Sequence, residues 1–525
     1  MHFIAGENRF QLSFTSLEDQ ISKDNPVRLI DAFTEVIDLG RLHFVARAIK
    51  EEGRPPFEAS VFLKIYLYGY LNGIRSSRRL ERECERNIEL QWLCGKLCPN
   101  YHSIADFRKD NPKALKNLFK LFVLFLKENE LIESQNIAID GTKVRAHNSK
   151  KNNYSVSKIE RHLLYIESKA AEYLTALEQA DKQEETIKIT NLEEKLERLK
   201  KNKLKYELLD QQLKESGQTQ VSTTDVDSRA LLVQGQVVEV SYNVQAAVDQ
   251  KNKLVVATHV INRNDRNAMS EIALEAKQNL EVDSYTAILD KGYHNGREIE
   301  TCQKAGITTI VATQQLVTSN AKSKEYLSDK FIYNSKFDTY TCPEGKELKT
   351  QGTWHTKHRE RDKFKYKKYR TPACKNCPVK KMCTTSKNAG REIERSQYAD
   401  AVELNNRNYK ENYDLYRKRQ EINEHIFGTI KRKWNYYYTN LKGIEKINGE
   451  YSLIMLCYNI KRTINILGIS NLIERIRVWK PDYTKVDGLK IKMTLIEQFL
   501  CTINFEILNC WKKKGSFKMP YLRLK

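Results

Sequence analysis

Along the first 135 residues, apolar positions recur at helical spacing, with few Gly or Pro to interrupt them. The spacing predicts long amphipathic helices over 56–73 and 113–131, and Asn111-Pro112 reads as an entry to the second, with Pro in the first turn. Between them, residues 74–84 form a basic stretch on a predicted helix. It is either a DNA-facing element built on Arg75, Arg78 and Arg79, or a solvated face diluted by Glu81, Glu83 and Glu85. At Asn136-Ile-Ala-Ile-Asp140 the pattern changes to a short apolar run of strand type, followed by Gly141. Residues 155–214 are rich in Glu, Lys, Leu and Ala, with apolar positions at Ile159, Leu163, Ile166, Leu192, Leu196, Leu199, Leu204 and Leu208. That pattern predicts a helical hairpin or coiled-coil arm whose mixed charges suit self-association or a protein partner better than a DNA groove. Strand character returns at 236–240, 242–248 and 254–261; a helix follows at 268–280, then strands at 285–289 and 308–312. Strands with a helix among them predict an α/β domain with a mixed sheet. Residues 313–400 break the pattern, helix resumes near Tyr409 and runs past Trp434, and a basic, aromatic-containing tail closes the chain.

Composition narrows the partners. The 525 residues carry 89 Lys and Arg against 67 Asp and Glu, a net charge of +22. A surplus of that size calls for a polyanion, either nucleic acid or an acidic membrane surface. No run of about 18 apolar residues offers a membrane span, and the start lacks the layout of a secretion signal. The 11 cysteines in so long a chain do not read as a disulfide framework. Together these predict a cytoplasmic protein with reduced thiols. The length predicts several structural units, since domains run to roughly 100–200 residues.

Three carboxylates stand out. Asp140 and Asp290 each close an apolar run, in Ile-Ala-Ile-Asp-Gly-Thr-Lys143 and Ala-Ile-Leu-Asp-Lys-Gly-Tyr-His294. The carboxyl ends of strands are where α/β domains form ligand crevices. For Asp140 the alternative is a plain type I′ turn, because Asp-Gly is a strong hairpin signal. Glu424 lies on the late helix, midway between Arg417 and Lys431 at intervals of seven residues, so the three share one helical stripe. The alternative is a solvated face with ion pairs. Ile422, Ile426, Phe427 and Ile430 bury the neighbouring face and leave Glu424 at the boundary of core and solvent. Two Asp and one Glu are what phosphodiester chemistry requires: two hard divalent ions, Mg²⁺ or Mn²⁺, about 3.5–4 Å apart, clamping the attacking and leaving oxygens. Basic neighbours such as Arg417 and Lys431 suit the flanking phosphates.

A fourth group lies in the irregular segment. Cys374 and Cys377 form a C-x₂-C knuckle, with Cys383 and Cys342 on either side. Four thiolates suit a tetrahedral structural Zn²⁺, with His355 or His358 able to replace a ligand. The alternative is free thiols in a loop-rich insert. The remaining cysteines, such as Cys84 and Cys457, sit in apolar helical surroundings and read as core.

The three carboxylate motifs together resemble the DDE transposases of bacterial insertion sequences, in the branch with an RNase H-like catalytic core. Gly53-Arg-Pro-Pro-Phe57, Tyr66-Leu-Tyr-Gly-Tyr-Leu-Asn-Gly-Ile-Arg-Ser-Ser-Arg78 and Ser103-Ile-Ala-Asp-Phe-Arg-Lys-Asp-Asn111 are similar to that family's helical DNA-binding domain. Asp140-Gly-Thr-Lys143 and Asp290-Lys-Gly-Tyr293 match its two Asp motifs. Tyr416, Arg419, Glu424 and Lys431 resemble its helix signature, with Arg419 one residue further from the Glu than the family pattern has it. The resemblance implies an α/β catalytic core (RNase H-like mixed sheet) with an all-α N-terminal domain, a coiled-coil insert and a Cys-rich insert, the segment whose four cysteines read as a zinc site or free thiols. The implied boundaries are a helical domain to 135, core at 136–149, 236–314 and 406–470, the coiled-coil insert at 150–235, the Cys-rich insert at 315–405 and a basic tail at 471–525. It further implies Asp140, Asp290 and Glu424 as catalytic metal ligands. Arg75, Arg78, Arg79, Lys143, Arg417, Arg419 and Lys431 become DNA contacts. The partners are the element's terminal repeats, target DNA and further copies of the chain, in the cytoplasm at the nucleoid. The competing expectation is a non-enzymatic, sequence-specific DNA-binding protein on a degenerate RNase H-like core.

Overall fold

The structure is a computed structural model, and it describes residues 10–486 apart from 11, 13, 46–54, 184–185, 235–236, 314–320, 360–361 and 387–388. Gly53 and Arg54 of the first quoted motif, and the tail beyond 486, lie outside the described residues. The chain divides into two compact units, residues 1–125 with 452–525, and residues 126–451. No helix among the described residues is long and apolar enough to cross a membrane.

The first unit is helical. Its elements are α1 (Pro26–Val36), α2 (Ala59–Leu71), α3 (Ser77–Arg86), α4 (Ile88–Leu93), α5 (Tyr101–Asp110) and most of α6 (Pro112–Glu128). The Asn25 side chain accepts from the Val27 N–H, its carbonyl accepts from the Arg28 N–H, and Pro26, which has no N–H to satisfy, opens α1. Helix α6 supplies Leu118, Phe119, Phe122 and Phe125, all essentially buried, each stabilising by about 1.5–3 kcal/mol. The buried thiols of Cys84, Cys94 and Cys457 are free. Helix α3 turns Leu80, Glu83 and Cys84 inward and leaves Arg78 and Arg79 exposed. Arg75 departs from expectation: it is 6 % exposed, so it is a packed residue and not part of a DNA-facing row. It precedes α3, where the chain turns in behind Ile74.

The second unit is built on a mixed six-stranded sheet. Its strands are β1 (Asn136–Arg145), β4 (Arg229–Gln234), β5 (Val237–Asp249), β6 (Val255–Ile261), β7 (Tyr285–Leu289) and β8 (Ile307–Val311). β5 lies antiparallel to β1, with β6 and β4 antiparallel along its other edge. On the opposite side β7 runs parallel to β1, and β8 parallel to β7. Helices α9 (Met269–Leu280) and α10 (Gly296–Lys304) connect the strands on that side. Two expected strands, 236–240 and 242–248, are one continuous β5, and β4 was not foreseen.

β1 runs straight through Asp140-Gly141, so this pair is neither a strand end nor a turn. Gly141 is required for another reason. A Cβ there would stand 2.2 Å from Gln245 Nε2, 2.7 Å from Asp265 Oδ1 and 2.8 Å from Asn243 Oδ1. The glycine makes room for side chains crossing over the strand.

Both inserts are structured. Strands β2 (Asn153–Ser155) and β3 (Gln220–Ser222) pair antiparallel and bracket a helical hairpin of α7 (Val156–Lys182) and α8 (Thr186–Ser216). Tyr154, Ile159, Leu209, Leu213 and Val221 form a small core at its base. Leu204 and Leu208, expected in the hairpin seam, are exposed at 62 % and 66 %. The segment after β8 is a second sheet where only a break in pattern was foreseen. Its strands are β9 (Ile332–Asn334), β10 (Thr339–Thr341), β11 (Glu347–Thr350), β12 (His355–Arg359), β13 (Asp362–Arg370) and β14 (Ile393–Ser396), with the short helix α11 (Lys380–Cys383) before β14. Phe331, Tyr340, Leu348, Tyr369 and Ile393 are its core. Then come α12 (Ala399–Glu411), α13 (Tyr413–Phe427), α14 (Ile444–Leu467) and α15 (Ile469–Val478), the unit boundary falling inside α14. The expected unbroken helix through Trp434 ends at Phe427, and Gly428–Lys433 is a wider π-helical turn closed by the Trp434 N–H on the Thr429 carbonyl.

Candidate catalytic site

The site is set by strand register. β1 and β7 are parallel, with Ala138 opposite Ile288. Continuing that register by two residues sets Asp140 level with Asp290, the first residue past β7. Asp140 Oδ1 accepts from the Gly141 N–H at 2.8 Å, and Oδ2 accepts from Arg419 at 3.2 Å. Burial pushes the Asp140 carboxyl up to about 6; Arg419 and the Gly141 N–H oppose this, while Asp290 and Asp265 add to it. Asp290 caps the turn Lys291–Tyr293, its Oδ1 accepting from the Gly292 N–H at 2.7 Å.

Asp265 was missed in the sequence. It follows β6, and its Oδ1 accepts from Asn243 at 2.7 Å and Gln245 at 3.0 Å, while Oδ2 accepts from Lys143 at 2.7 Å. Burial raises its carboxyl, but the Lys143 charge and these donors together hold it below the usual range. Tyr293 donates to Gln245 and extends the network. The available signal was Asn243 and Gln245, polar and fully buried among the apolar residues Val244, Ala246, Ala247 and Val248 of β5. Lys143 is thereby committed. Its side chain is 14 % exposed and paired with Asp265, so the expected DNA contact would require that pair to open.

Helix α13 packs over β1, β5 and β7 through Ile422, Asn423 and Ile426. Arg419 faces the sheet, whereas Arg417 and Glu424 are exposed, Glu424 Oε1 accepting from Gln420 at 2.8 Å. The expected stripe of Arg417, Glu424 and Lys431 does not continue past Glu424. The π-helical turn swings Lys431 inward, where its ammonium donates to the Lys143 carbonyl at 2.7 Å. Burial, reinforced by the Lys143 charge, pushes the Lys431 ammonium down. Asn423 is 2 % exposed, and neither of its amide atoms has a hydrogen-bond partner.

Asp140 and Asp290 thus come together and Glu424 stands on the overlying helix, turned to solvent. Among the described residues, no group of three or more His, Cys, Asp or Glu is arranged to hold a metal ion. The Asp pair fits a hard cation in donor chemistry, since each carboxylate keeps lone pairs beyond its backbone bond.

Cys342, Cys374, Cys377 and Cys383 all line one cavity, together with Phe331, Leu348 and Arg391. All four are free and partly exposed. The Lys346 N–H points at Cys342 Sγ at 3.3 Å. Burial raises the Cys383 thiol, Arg391 opposes it, and the other three thiols add to it. His355, on β12 against the Tyr366 ring, is not among the residues lining the cavity. In the helical unit, the exposed Arg78 guanidinium lies 5.0 Å above the Tyr101 ring.

Comparison with known families gives two matches: a transposase domain (DUF772) over residues 15–110, and a transposase DDE domain over residues 341–464. No curated protein and no solved structure matches the chain. The second match takes in the Cys-rich sheet and the Glu424 helix; Asp140 and Asp290 lie between the two matched segments.

Proposed function

A chain with these two matched domains is a DNA transposase of the insertion-sequence DDE class, and from that premise we propose how its own residues act. The catalytic core is RNase H-like, supported by the strand order β6-β5-β1-β7-β8 with its first three strands antiparallel and its last three parallel. Asp140, Asp290 and Glu424 are the metal ligands. Mg²⁺ or Mn²⁺, when bound, supplies the charge that activates water and then the freed 3′ hydroxyl, and stabilises the leaving oxygen. Asp140 and Asp290 hold two fixed oxygen sets at one end of β7, and Glu424 joins them by turning in from the rim of α13. The reaction cuts the element's ends and joins their 3′ ends to target DNA. Arg78 and Arg79 on α3 and Arg417 on α13 are exposed cations suited to DNA phosphates. The protein works as an oligomer on paired element ends.

The observation that carries this reading is the register that levels Asp140 with Asp290. Glu424→Gln and Asp290→Asn should each lower Mg²⁺-dependent cleavage of element-end DNA by about a hundredfold or more, while DNA binding is kept. Normal cleavage by Glu424→Gln would remove Glu424 from the site. For the second sheet, the reading is a structural Zn²⁺ held by Cys342, Cys374, Cys377 and Cys383, which line one cavity. They would have to close on the ion, since no three of them are arranged around one as they stand. Elemental analysis of the purified chain should give about one zinc per chain, lost in Cys377→Ser. A metal-free chain with normal stability would make the four residues ordinary thiols.

A further inference from the structure

Arg419 is a charged residue that the proposed reaction leaves without a task. Its side chain is 16 % exposed on the sheet side of α13, and one terminal N–H reaches Asp140 Oδ2 at 3.2 Å. That is long for a charge-assisted bond, where about 2.7–2.9 Å is usual. Its Nε is buried and has no hydrogen-bond partner. A guanidinium carries five donors in a planar fork that fits two phosphate oxygens side by side, so one long hydrogen bond, with the Tyr416 ring 5.8 Å from the guanidinium, leaves most of those donors unused. One turn further along the same face, Asn423 is also buried with both amide atoms unpartnered. Unsatisfied polar atoms at this depth are uncommon and point to a group that their present neighbours do not supply.

Asp140 faces the matching constraint. One oxygen takes the Gly141 N–H and the other takes Arg419. A divalent cation can share Oδ2 only if the guanidinium gives it up, because two cations on one half-buried oxygen repel strongly. Resting on the reading of Asp140 as a metal ligand, we propose that Arg419 is a positioning residue that occupies Asp140 until a DNA phosphate draws it away, so that metal and DNA load the site together. The phosphate gives the fork two acceptors in place of one and satisfies Nε. The released Asp140 oxygen then faces the ion. Because coupling between two ligands is reciprocal, DNA tightens metal binding by the factor by which metal tightens DNA binding.

The test is a Mn²⁺ titration of the full chain, with free Mn²⁺ followed by electron paramagnetic resonance and the Asp140-dependent part obtained by subtracting Asp140→Asn. Without DNA, Arg419→Gln should bind Mn²⁺ about tenfold more tightly than wild type, a size typical of site-to-site coupling. A short phosphodiester duplex should tighten wild type by a similar factor and leave Arg419→Gln unmoved. Arg419→Lys keeps a cation at the position and should stay near wild type. Equal Mn²⁺ affinity in wild type and Arg419→Gln, with binding still lost in Asp140→Asn, would overturn this coupling and leave the metal site standing. Unchanged binding in Asp140→Asn would overturn the metal site and the coupling together.

Discussion

Asp140 shows how a single carboxylate can cost stability in exchange for chemistry. Burial holds its carboxyl near 6, and the Arg419 guanidinium does not fully compensate. The folded chain therefore binds this proton more tightly than the unfolded chain, whose Asp titrates at about 3.9. The sign follows. Its favourable contribution is complete below about pH 4 and is lost as pH rises through 6. Asp140→Asn should accordingly unfold at a higher temperature than wild type at pH 8, with the gap narrowing between pH 6 and pH 4. A gap that widens on acidification would contradict the burial argument. The neighbouring Asp265 has the opposite balance, since three donors keep it anionic. Sequence spacing found Asp140 and Asp290 because each ends an apolar run. It missed Asp265, whose partners come from β1 and β5, more than a hundred residues and about 20 residues away respectively.

Elements tell a second story, in which local pattern was legible and irregularity was not. The helices of the first unit, the strand Tyr285–Leu289 and the helical hairpin follow from periodicity, because burial on one face repeats at fixed intervals. The second sheet was invisible: five of its strands are only three to five residues long, β13 is rich in Lys, and a small, largely aromatic cluster holds them. The π-helical turn was equally hidden, since Gly428-Thr-Ile-Lys-Arg-Lys433 has an ordinary helical composition. The hairpin offers a test at this scale. Ser155 and Gln220 are paired across β2 and β3, so the ends of the insert already meet. Replacing residues 156–219 by a four-residue Gly-containing turn should leave the sheet signal in circular dichroism intact and move the unfolding midpoint by no more than about 4 °C. Loss of sheet signal would mean that the arm is part of the core.

At the scale of the whole molecule the charge of +22 is the dominant quantity. It predicts tight, salt-sensitive binding to duplex DNA, because each neutralised phosphate releases counterions. Arg78→Gln and Arg79→Gln should each weaken binding across all sequences and lower the slope of log affinity against log salt by about 1, read by fluorescence anisotropy between 50 and 200 mM salt. An unchanged slope would place the helical unit's DNA contacts elsewhere. The same scale gives the register of β1 and β7 another meaning. β1 ends at Arg145 and its parallel partner at Leu289, with the whole helical hairpin made between them. A ribosome adding roughly 5–20 residues per second takes roughly 7–30 s to cover that distance. Through that interval Asn136, Ile137 and Ala138 of β1 wait without their β7 partners, while the hairpin, with its own small core, can fold at once. The parallel half of the sheet, and with it the register that levels Asp140 with Asp290, is thus completed only late in synthesis.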